Sequence, residues 1–337
     1  MSEQIGQAVE YQTNNSYRTG RSMNAQHLHL TFMHTLKSEI VKLRGLASTW
    51  WCMALTVALP VIFSFIIALV QKSLSNVDAG RNGTSQSRSS AVVTVGPSDK
   101  SSLITSQESI FRLVISFASV SLIVLAIFAV LAVTAEHSTT SIQASLTAVP
   151  KRGMFFTAKF IAVAIYVFVV QLIAMTVSLA AAESAFIGDN VSGLSGSNAW
   201  ELPITLFLGS PAIMVFVAAM AYGFGMICKS TAGGIMCVIG AVMILPSVVS
   251  IVMLTSNFAK WASILIQILP ANAVNQFLGT RVQLPPNAYV FTWWQSGLVV
   301  LAWAVIMYAI GYVIEKLSLI HIPSPRDRQK SRMPSSA

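Results

Sequence analysis

The chain has 337 residues, of which 54% are apolar and 10% charged, with a mean hydropathy of +0.68. Soluble domains carry about 25% charged residues, so a soluble enzyme, a coiled coil, a collagen-like chain and a disordered chain are excluded, and a polytopic membrane protein remains. The balance of 21 Lys+Arg against 12 Asp+Glu, net +9, fits the cytoplasmic loops of such a protein rather than a nucleic-acid partner.

Residues 1–30 are polar and lack the apolar core of a signal peptide. They are expected to be a disordered extension, or an upstream mis-start with Met33 as initiator. The chain then enters its first apolar run through a basic segment. Phe32, Leu36, Ile40, Leu43 and Ala47 recur at three- and four-residue intervals and make one apolar helical stripe. This predicts an amphipathic helix lying on the membrane surface. Glu39 falls at the edge of the stripe. Either it reaches out to water and pairs with Lys42, three residues on, or it contacts a partner protein.

Six runs are long enough to span a bilayer, which takes about 20 apolar residues. They lie near Trp50–Val70, Leu113–Thr134, Phe160–Ala182, Ile204–Ile227, Gly233–Leu254 and Trp293–Ile314, and none contains Lys, Arg, Asp or Glu. An even number of spans puts both termini on one side. Lys37, Lys42, Arg44, Lys151, Arg152, Lys159, Lys229 and Lys316 fall on that side, and the all-acidic loop with Glu183, Asp189 and Glu201 falls on the other. The positive-inside rule therefore places both ends in the cytoplasm, despite basic residues in the long 71–112 loop and at Lys260 and Arg281.

Between the second and third runs, Glu136 and His137 end the apolar stretch, and Ser138, Thr139 and Thr140 can cap a new helix. Ser141 to Val149 is then a short helix stopped by Pro150, before the basic turn at Lys151 and Arg152. Composition leaves two readings open, a docking element or an ordinary interfacial connector. Pro211 and Pro246 fall inside the fourth and fifth runs and predict kinks. The apolar stretch between Ser256 and Leu269 is too short to span and is expected to be interfacial or re-entrant.

Chemistry finds little footing. Cys52, Cys228 and Cys237 show neither a disulfide framework nor zinc spacing. His137 has no second ligand at helical spacing, so no metal site is expected. Lys229-Ser230-Thr231 resembles the end of a phosphate-binding loop, but Cys228 stands where that loop needs glycine. There is no catalytic motif and no nucleotide-binding motif. With only uncharged polar residues such as Gln171 in the runs, a proton- or sodium-driven mechanism is disfavoured.

Three stretches resemble ABC-type-2 transporter permeases of actinobacterial chromosomes: LKSEIVKLRGLASTWW, AVTAEHSTTSIQASLTAVPKRGMFFTAK and KSTAGG. The resemblance runs from about Met33 to Lys316. Members of that family often read E-Y-S-T-G and then a P-R/K-R turn. Glu136, Ser138 and Thr139 match the first and Pro150, Lys151 and Arg152 the second, while His137 and Thr140 depart.

The resemblance implies an all-α permease of six transmembrane helices over 31–316. It adds an N-terminal amphipathic interfacial helix, a cytoplasmic coupling helix from Ser138 to Val149, and a re-entrant gate at 257–291. Two copies or paralogues would pair in the bacterial cytoplasmic membrane, each docking a separate ATPase that holds ATP and magnesium. This chain would then need no cofactor of its own. Glu39, Lys42 and Arg44 would belong to the transmission interface, and Glu136, Lys151 and Arg152 would frame the coupling helix. Such permeases export antibiotics, peptides, lipids or polysaccharides, and a path without charges suits a lipophilic or amphipathic cargo. The alternatives are a stand-alone secondary carrier and a non-transporting membrane sensor or assembly factor. The tail 317–337 breaks abruptly from GYVIEK, contributes +3 of the net charge, and resembles translated sequencing-adapter read-through; a genuine basic tail is the alternative.

Overall fold

The computed structural model describes residues 31–79, 106–138, 152–188, 191–194, 196–255, 260–280 and 289–318. The described residues are almost wholly helical and contain no strand. Helix α1 (Phe32–Gly45) leads into α2 (Ala47–Ala79), which holds the first span. The second span is α3 (Gln107–Ala118) with α4 (Ser121–Ser138), and the third is α5 (Arg152–Ser184). The fourth joins α6 (Asn198–Ile204) to α7 (Ser210–Cys228), and the fifth joins α8 (Thr231–Ile239) to α9 (Leu245–Thr255). Two short helices, α10 (Lys260–Ile268) and α11 (Pro270–Phe277), precede the sixth span in α12 (Trp293–Ser318).

Six stretches are long and apolar enough to cross a membrane: Ala47–Leu74, Gln107–Ala135, Gly153–Ser184, Asn198–Cys228, Thr231–Met253 and Trp293–Leu317. Each contains or closely overlaps one of the six runs expected from sequence, and the described residues have the all-α make-up of a multi-pass membrane protein. The helices overrun the apolar windows. At 1.5 Å per residue the 33 residues of α5 reach about 50 Å, beyond the ~30 Å hydrocarbon core. That overrun carries Lys159 and Glu315, outside the expected runs, into helical spans where they are 3% and 2% exposed. The expectation that only uncharged polar residues serve the spans is corrected accordingly.

The fourth span is the hub, packed against the second, third, fifth and sixth, while the first span lies on the second and third. Small residues set the close approaches, as they do between helices in lipid. A Cβ on Gly223 would collide with the backbone carbonyl of Met307, and one on Gly225 would collide with the Val133 side chain.

Serine chemistry divides the second span. Ser116 donates to Arg112 O at 2.7 Å, Ser119 to Ser116 O at 3.0 Å and Ser121 to Ala118 O at 3.1 Å. Such back-bonding competes with the helical ladder, and the helix gives way to a turn at Ser119–Val120.

Pro211 and Pro246 each follow one π-helical turn, Thr205–Gly209 and Gly240–Ile244. A proline has no N–H for the carbonyl four residues back, and its ring crowds that carbonyl. Widening the turn relieves this: the amides of Ser210 and Leu245 reach back five residues, to Thr205 O and Gly240 O.

At the end of the bundle where the sixth span begins, α10 and α11 fold together, and α11 packs on α12 and on the π turn of the fifth span. A glutamine network ties this pair to the chain ahead of the sixth span. Gln267, fully buried, donates to Ser263 O and Tyr289 O and accepts from Phe291 N at 2.7 Å. Gln276 donates to Phe291 O at 3.0 Å and to Gln267 Oε1 at 3.2 Å. Gln267→Leu strands Phe291 N and Tyr289 O. It is expected to cost about 1–3 kcal/mol, read as a lower melting temperature in detergent. An unchanged melt would remove the network from the fold's support.

Candidate docking site at one end of the bundle

At the opposite end, α1 packs on α5 and touches α2, and the ends of the second to sixth spans gather against one another. Thr134 near the end of α4 shares a 2.9 Å hydroxyl contact with Thr231 at the start of α8. A Cβ on Gly153, at the start of α5, would stand 2.7 Å from the Tyr312 hydroxyl of α12. The Lys42 ammonium of α1 lies 5.6 Å from the centroid of Phe155, in the first turn of α5. The tight α7–α8 turn closes the set: Lys229 takes a left-handed conformation (φ 50°, ψ 12°), and Ser230 accepts from Gly233 N at 3.1 Å. Lys229-Ser230-Thr231 is thus a helix stop followed by a helix cap.

Helix α1 packs on α5 through a mixed face. Thr35, Glu39 and Leu43 are buried, and Leu36 and Ile40 are half-buried against the core. The docked ridge is shifted from the stripe expected in sequence, and Ala47 is exposed beyond the break at Leu46. Both polar members of the ridge are satisfied within α1. Thr35 donates to Thr31 O at 3.4 Å, and Glu39 Oε1 accepts from Lys42 Nζ at 2.7 Å. The expected Glu39–Lys42 pair is present, but the carboxylate is 2% exposed instead of reaching water. A charge-assisted bond of this length is what allows a carboxylate to be buried. Tyr166 of α5 adds a long contact, its hydroxyl 3.5 Å from Ile40 O.

Arg44 sits in the last turn, where a cation complements the helix dipole. Its own carbonyl accepts from the Trp50 indole at 3.0 Å, occupying one of the acceptors that a helix end leaves open.

Phe155 is 1% exposed and has a second ammonium close by, Lys159 Nζ at 5.7 Å from its centroid. Lys159 and Glu315 are both buried and neither lacks a partner. Behind them runs an aromatic chain joining the third, fourth and sixth spans. Phe155 and Phe156 meet at 5.3 Å, Phe160 and Tyr308 at 5.0 Å, Phe160 and Tyr222 at 5.6 Å, and Tyr308 and Tyr312 at 6.4 Å. Phe155, Glu315 and the tyrosines were not among the residues singled out from sequence, and Lys159 entered only as one of the basic residues that set the orientation. Their signal was available in the four-residue spacings Phe155–Lys159 and Tyr308–Tyr312, which put each pair on one helix face.

The remaining expected site residues divide by position. Glu136, His137 and Ser138 form the last turn of α4, and Arg152 opens α5, but their side chains lie outside the described part. Thr139, Thr140, Pro150 and Lys151 lie outside the described residues, as does the expected coupling helix beyond Ser138. Among the described residues no cluster of three or more His, Cys, Asp or Glu could hold a metal.

No protein-family model matches the chain, and no curated protein matches it.

Proposed function

We propose that this chain is the membrane-spanning permease subunit of an ATP-driven exporter of the ABC-type-2 kind, acting with a separate ATPase and a second permease in a bacterial cytoplasmic membrane. The observation that carries the reading is the seating of α1. Its carboxylate is buried against α5 and neutralised by Lys42, while Met33, Lys37, Val41 and Arg44 remain exposed. A push on that exposed face would pass into α5, which runs unbroken for 33 residues to the far end of the bundle. The far end holds the α10–α11 pair beside π turns in two proline-bearing spans, and widened turns of this kind are frequent where helices do work. The basic residues on the α1 side support a cytoplasmic orientation for this end, where an ATPase would dock. The residues between α4 and α5 connect two helix ends that lie at this same end and would supply the coupling helix.

A second reading, a gradient-driven secondary carrier, gains from Lys159 and Glu315, two buried ionisable residues within spans. Purification of the tagged chain from its native membranes separates the two. The permease reading expects a soluble protein in the eluate that hydrolyses ATP, and its loss when Lys151 and Arg152 are both changed to Glu. A clean, monodisperse preparation with no ATPase activity, in detergents that preserve other membrane complexes, would favour the carrier.

A further inference from the structure

Beside the docking face, α1 and the first and third spans enclose an open cavity of about 290 Å³. This is at the small end of ligand sites, which start near ~300 Å³. Ile40 and Arg44 of α1, Trp50 and Met53 of the first span, and Ile165 and Val169 of the third line it. Trp50, Ile165 and Val169 are also exposed on the outer surface of their helices, so the cavity opens sideways at the apolar surface of the bundle.

The lining has an uneven chemistry. The walls are mostly apolar; Thr49 and Tyr166 also line the cavity, the Tyr166 hydroxyl standing 3.5 Å from Ile40 O, and the Trp50 indole N–H is already spent on Arg44 O. Arg44 brings the cavity's only formal charge. Its side chain is exposed and makes no ion pair among the described residues. No carboxylate lines the cavity, and Glu39, the one acid of α1, is neutralised by Lys42. A mostly apolar trough open at the bundle surface, with an uncommitted guanidinium at its rim, is complementary to an amphiphile with an anionic head. Guanidinium matches phosphate oxygens by paired hydrogen bonds, and basic pockets between membrane helices select acidic headgroups.

We infer that this cavity holds an anionic phospholipid of the adjoining leaflet, its phosphate on Arg44 and the upper part of one acyl chain along Ile40, Met53, Ile165 and Val169. The assignment does not depend on the identity of the energy source. A bound lipid there would wedge α1 against the first and third spans and so bias the seating of the Glu39–Lys42 ridge.

The test is native mass spectrometry of the full-length protein released from micelles holding equal amounts of phosphatidylglycerol and phosphatidylcholine. The expected result is retained phosphatidylglycerol, favoured over phosphatidylcholine by about fivefold, which is the scale of one basic contact. Arg44→Ala, at an exposed position, should bring the two lipids to within roughly twofold of parity, and Arg44→Lys should keep most of the preference. Val169→Trp, which fills the trough, should lower retention of both. Soluble glycerol 3-phosphate should not displace the lipid, because the chain contributes to binding. Unchanged preference in Arg44→Ala would overturn the assignment. So would displacement by glycerol phosphate, or a Val169→Trp variant that alters only the fraction of dimer, which would make the trough a contact between copies.

Discussion

Glu39→Lys is expected to lift α1 off the third span. The native carboxylate is 2% exposed and bonded to Lys42 at 2.7 Å. A lysine there would bury an ammonium beside Lys42, with Lys159 close to the same Phe155 ring. Breaking a buried pair costs about 3–5 kcal/mol, and because Lys42 is itself part-exposed the lower end applies, about 3 kcal/mol. Tenfold in population corresponds to about 1.4 kcal/mol, so the seated form should fall by about a hundredfold. Cysteines at Ile40 and Tyr166, which touch in the native packing, read the seating directly by cross-linking. Glu39→Gln keeps the shape and one hydrogen bond and should lose far less. Equal cross-linking yield in Glu39→Lys and wild type would show that the pair does not hold α1. Under the permease reading, the same variant should still insert and should hydrolyse ATP without transporting.

The second large effect belongs to Gly223. Its Cα lies against the backbone of the sixth span, and Gly311 faces it with a Cβ position 2.9 Å from Gly223 O. The obstacle to a side chain is main chain, which no change of rotamer can clear. Gly223→Leu should therefore force the fourth and sixth spans apart at a cost of about 3 kcal/mol or more. The melting temperature in detergent should drop on the order of 10 °C, or the protein should fail to accumulate in the membrane. Gly240→Ala is the control, because a Cβ there meets nothing within 4 Å. It should be neutral or slightly stabilising. A Gly223→Leu protein that melts with wild type would mean that the two spans do not approach as closely as the packing requires.

What the sequence shows and what it hides divide along physical lines. Six spans were legible because each needs only a long apolar run, and no charge interrupts the runs. Their ends were less legible. A helix does not stop where hydropathy stops, so Lys159 and Glu315 belong to spans although they lie outside the apolar windows. The prolines marked where the fourth and fifth spans depart from regular helix, but composition does not distinguish a kink from the π turns that form. For α1 the period was visible and the docked ridge was not. A stripe and its neighbour differ by one position, and the surface of α5 decides between them in favour of Thr35, Glu39 and Leu43. The Gln267–Gln276 network was hidden for a related reason: its partners are main-chain groups at Tyr289 and Phe291, which carry no side-chain signature.

The measurement that bears most directly on the docking claim is site-specific photo-cross-linking from Lys37 in native membranes. Lys37 is exposed on α1, outside the ridge that seats on α5. A photoreactive residue there is expected to capture a soluble nucleotide-binding ATPase, while the same residue at Ile173, exposed midway along the third span, captures none. Capture of lipid alone from Lys37 and from Val41, in membranes where the protein is folded and abundant, would contradict a docked ATPase at this end of the bundle.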